Sequence, residues 1–76
     1  MARHCAECDR LWDDFVEATH NHLKLLSRQQ IAVIQQDSAV LQELRKPVAD
    51  SAAKRQAARH LVREHALTHG DEIPIP

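Results

Sequence analysis

Between residues 9 and 45 the chain has neither glycine nor proline, and its apolar residues return every three or four positions. Both strong helix breakers are missing and the spacing is that of one helical face, so the segment reads as helix. Trp12, Leu23 and Ile34 stand eleven residues apart, with Phe15, Val16, Leu26, Leu41 and Leu44 filling the same stripe. As one helix this stripe runs for about 55 Å at about 1.5 Å per residue. The rest of a 76-residue chain is too short to cover it.

Lys46-Pro47 is the strongest internal break, because proline has no N–H to give and suits the first position of a new helix. The alanine-rich stretch that follows favours helix and close helix approach, and Gly70 fits a C-cap. The expected fold class is therefore all-α: a long helical hairpin over about 8–45 and 48–69. It forms one domain over 1–76, with 71–76 an extended or disordered tail of alternating proline and isoleucine. A second break at Gln36-Asp37-Ser38, where one helix would end and the next be capped, gives a three-helix bundle as the alternative.

A chain this short buries only about 60% of the surface its unfolded form exposes, so additional cover is expected. The first helix opens acidic (Glu7, Asp9, Asp13, Asp14, Glu17), while the later one carries Lys54, Arg55, Arg59 and Arg63. Folding back at Pro47 leaves the acidic end overhanging. Two hairpins pairing into an antiparallel four-helix bundle would cover it, making the chain a homodimer. The interface would draw on Trp12, Phe15, Val16, Leu23, Leu26, Ile34, Leu41, Lys54, Arg55 and Arg59. Burial would drive this assembly and charge select its register, since a buried apolar side chain is worth about 1.5–3 kcal/mol and an exposed ion pair below about 1.

Several function classes are disfavoured. One Trp, one Phe and no Tyr leave few platforms for stacking bases, and a net charge of −1 gives no field to draw in nucleic acid or an anionic membrane. No apolar run approaches the roughly 20 residues of a bilayer span, and the first residues lack the hydrophobic centre of a signal peptide, so a cytoplasmic location is expected. With a single glycine there is no phosphate loop, and no Ser/His/Asp set or carboxylate pair suggests an enzyme.

Cys5 and Cys8 form a C-x-x-C. Asp9 stands where haem attachment would need histidine, and a thioredoxin-like role would need a strand. Zinc is the chemical alternative, since two thiolates with two imidazoles close a tetrahedral site and His65 and His69 share a helical face. A reversal at Pro47, however, puts the cysteines at the opposite end from those histidines. The plain reading, small residues at a helix start, stands beside the zinc reading of Cys5, Cys8, His65 and His69. His20 and His22 point in different directions on a helix, and in the dimer register His60 would approach His20 of a second copy. Gln29, Gln30, Gln35 and Gln36 flank residues 31–34, where amides could fix a helix register.

The cysteine pair, Leu11-Trp12, Ala18-Thr19 with His22-Leu23, and Ala57-Ala58-Arg59 through His65 to His69-Gly70 together resemble short uncharacterised bacterial helical-hairpin proteins. The resemblance spans most of the chain and implies a helical hairpin and a bacterial source, without a function. The expectation is a self-associating interaction or structural module, not an enzyme, which also serves as a surface for another protein. A small zinc-binding module is the alternative.

Overall fold

A computed structural model describes residues 5–69 of the chain. It is a hairpin of two helices, α1 (Ala6–Ile34) and α2 (Ser38–Thr68), lying side by side in a rod of 49 × 18 × 18 Å. Gly70 and the tail 71–76 lie outside the described residues. The all-α hairpin follows from the periodicity, but its reversal lies at residues 35–37 and not at Lys46-Pro47.

The turn closes with the hydrogen bonds of a Schellman motif. The Asp37 N–H donates to the Ala32 carbonyl (2.9 Å) and the Gln36 N–H to the Val33 carbonyl (3.1 Å). Gln36 takes the left-handed conformation with φ 55, a place usually given to glycine. Asp37 then caps α2, its carboxylate accepting from the Val40 N–H at 3.2 Å. The break at Gln36-Asp37-Ser38 is thus real, yet it joins two helices and makes no third.

Pro47 sits inside α2, and both it and Glu43, whose carbonyl loses its amide partner, are exposed. An interior proline costs about 3 kcal/mol. Reversal at residues 35–37 makes arms of 29 and 31 residues, which pair over their whole length. Reversal at Pro47 would strand the start of α1. Leu11, Phe15 and Val62 are buried together, and at about 1.5–3 kcal/mol each they outweigh the proline.

The seam is an antiparallel coiled-coil pattern. Along α1 the residues Cys8, Leu11, Phe15, Ala18, His22, Leu25, Gln29 and Ala32 alternate by three and four positions, and along α2 so do Leu41, Leu44, Val48, Ser51, Arg55, Ala58, Val62 and His65. Leu11 packs with Val62 and His22 bonds Ser51, a register that sets Cys8 level with His65. Ser51 Oγ donates to the Val48 carbonyl (2.9 Å), so the contact at 2.7 Å is His22 Nδ1–H donating to Ser51. This part-buried polar pair lies in register with the apolar layers of the seam. Of the glutamines expected to fix a helix register, Gln29 is half-buried in the seam, Gln30 is exposed, and Gln35 and Gln36 lie in the turn.

Candidate metal centre

At the open end of the hairpin, Cys5, Cys8, His65 and His69 come together with their four ligand atoms within 4.8 Å of one another. Two helix termini build the site. Cys5 is the N-cap of α1, with extended backbone (φ −129, ψ 120). Cys8 follows within the first turn, anchored by the bond from the Asp9 N–H to the Cys5 carbonyl (3.0 Å). His65 and His69, one turn apart at the end of α2, meet edge to face with ring centres 4.8 Å apart.

Two of the distances approach those of a coordination shell. Cys5 Sγ lies 3.4 Å from His65 Nε2, which lies 3.2 Å from His69 Nε2. Around a tetrahedral zinc, with Zn–S about 2.3 Å and Zn–N about 2.0–2.1 Å, ligand atoms stand roughly 3.3–3.8 Å apart. Side-chain adjustments of about an ångström would therefore bring all four atoms onto one ion. All four residues are half-buried, which leaves an entry path and still limits water access.

Electrostatics favour the same occupant. The Cys5 thiol is pushed down from 9.0 to about 6, first by its hydrogen bond with His65, then by the backbone and side chain of Cys8, and least by His69. The start of α1 carries the positive end of a helix dipole, which favours thiolates, and the end of α2 carries the negative end, which favours a cation.

The expectation that the cysteines and these histidines lie at opposite ends is overturned. It followed from placing the reversal at Pro47; moving it to residues 35–37 brings the first turn of α1 beside the last turn of α2. The other described histidines stand apart from the cluster. His60 pairs with Glu64 on its own helix (2.9 Å), His22 belongs to the seam, and His20 is exposed beside an apolar groove.

The residues expected at a dimer interface separate into two sets. Phe15 is buried within the hairpin, Leu41 and Leu26 are half-buried, and Arg55 lies 5.5 Å from the Phe15 ring centre as a cation–π partner. Val16, Leu23 and Ile34 are exposed, Trp12 and Arg59 are half-buried, and Lys54 is exposed. The acidic start of α1 no longer overhangs, because α2 runs beside it. Arg10 pairs with Glu7 (2.7 Å) and Asp14 (3.5 Å) on the same helix.

The Ser51 contribution was hidden in the sequence; its one signal is that it falls in phase with Leu44, Val48 and Val62 on the seam. Comparison with protein-family models, curated proteins and solved structures gives no match. No described helix is long and apolar enough to cross a membrane.

Proposed function

We propose that this chain is a small zinc-binding helical hairpin in which Cys5, Cys8, His65 and His69 hold one ion. The observation that carries the reading is the convergence of four ligand atoms within 4.8 Å from opposite ends of the sequence. Two thiolates balance the charge of a dication and two neutral imidazoles complete the shell, a donor set that suits zinc. Four protein ligands leave no open position for substrate, so the role is structural and not catalytic. The ion clamps the end of the hairpin that has no covalent link, tying residues 60 positions apart. Because such a shell exists only in the folded chain, zinc binding and folding are coupled.

Titration of metal-free protein with zinc, and with cobalt(II) as a visible reporter, tests the reading. One equivalent should bind, with a tetrahedral cobalt spectrum carrying thiolate charge-transfer bands, and Cys8→Ser should lose both the stoichiometry and the bands. Full-strength binding by Cys8→Ser, or no stoichiometric binding by the unaltered chain, refutes it.

A further inference from the structure

We infer that the flank of the hairpin carrying Trp12, Val16 and Leu23 is the docking surface for a second copy of this chain, forming a four-helix bundle from two hairpins. The inference is independent of the metal site and rests on how apolar residues are distributed around α1.

A helix with one partner needs one apolar stripe, whereas a helix in a four-helix bundle needs a wider face. α1 has two stripes. Beside the seam residues, one position further on, runs a second series at the same alternating spacing: Trp12, Val16, Thr19, Leu23, Leu26 and Val33, interrupted by Gln30. Val16, Leu23 and Val33 are 60%, 57% and 58% exposed, so α2 does not cover them. The opposite flank of α1 carries Asp14, Glu17, Asn21, Lys24 and Arg28, with Ile31 its exposed apolar residue near the turn. The apolar residues are concentrated on the first flank.

The corresponding flank of α2 is mixed: Ala49 and Ala52 have small side chains that allow another helix to approach closely, and Arg45, Gln56, Arg59 and Arg63 flank them. An apolar groove of about 340 Å³ opens on this side, with Trp12, Val16, Leu23 and Arg55 among its walls.

Size and charge name the occupant. A rod 49 Å long and 18 Å wide offers a face on the order of 800–900 Å², and a stable protein interface takes about 800 Å² from each partner. The hairpin's own core is small: six buried hydrophobic residues are found among those described, none of them large and fully buried. A second copy would supply the missing cover along the whole rod. When the twofold axis runs along the rods, α1 of one copy lies over α2 of the other with open ends together. Asp13 of one copy then comes beside Arg63 of the other, both being exposed near that end. The alternative axis stacks α1 on α1 and leaves these charges unmatched. The pairing is isologous, so it closes on itself.

Solution mass by light scattering or sedimentation, over about 1–100 µM, on zinc-saturated protein and again with chelator so that a metal bridging two copies is recognised, tests the inference. The expected mass is twice the 8.7 kDa of the chain. Leu23→Glu should halve it, while Lys24→Glu on the polar flank leaves it unchanged. Asp13→Arg should weaken the dimer by up to about tenfold, and adding Arg63→Asp to the same chain should restore it, a rescue that misfolding cannot imitate. A helical, cooperatively melting monomer at 100 µM overturns the inference, as does a Leu23→Glu protein that stays dimeric. Absence of charge rescue overturns the arrangement with open ends together.

Discussion

The two ends of the hairpin are built differently. At the turn the chain is covalently continuous, and a Schellman closure with the Asp37 cap satisfies the local backbone. At the open end nothing covalent joins α1 to α2, and in that place stand the two thiols and two imidazoles. Backbone hydrogen bonds suffice where the chain itself keeps the helices together. Where it does not, the proposed metal shell would supply the missing link and close the widest loop in the molecule.

This contrast is open to attack in order of expected effect. Zinc should act most strongly and at the open end: at a free concentration 100 times its dissociation constant it adds about 2.7 kcal/mol. For a domain of this size that raises the melting temperature by roughly 11–22 °C. Amide exchange should slow most around residues 62–66 and least at the turn; uniform protection along the rod would erase the difference between the ends.

Loss of the cap at the other end should matter less. Asp37→Ala should lower stability by about 1 kcal/mol, seen as a small drop in the thermal midpoint. Its zinc affinity at the open end should be nearly unchanged if the ends are held separately, and a large loss of affinity would show instead that the turn positions the ligands.

The smallest effect is the titration of Cys5 in metal-free protein. Its folded value, about 6, lies below the unfolded one, so the stabilisation from its thiolate is complete above about 9 and disappears as pH falls through about 6. Alkylation of Cys5, followed by mass spectrometry against pH, should show a midpoint near 6. Because the bond with His65 is the leading cause, His65→Ala should move that midpoint upward; an unmoved midpoint would remove His65 from the explanation.

Much of the hairpin was legible from spacing alone. Leu11, Phe15, Leu44 and Val62 are in helical phase, and the donor types Cys5, Cys8, His65 and His69 are those zinc takes. The place of reversal was not legible in the same way. Pro47 is the louder local signal, and Gln36 carries no glycine to announce its positive φ. Local chemistry ranks these two breaks wrongly because the decision belongs to the pairing of the arms. Ser51 was equally hidden, since a serine in an alanine-rich helix ordinarily faces water.

The sequence by itself therefore determined that the chain is helical, which residues form apolar stripes, and which side chains are able to bind a metal. Only the tertiary structure decided where the chain turns, and with it which ends meet. The physical reason is that helix formation depends on neighbours within a few residues, whereas the turn was set by burial summed along two whole helices. That sum exceeded the cost of one proline, and by shifting the register it carried Cys5 and Cys8 from the far end of the rod to the side of His65 and His69.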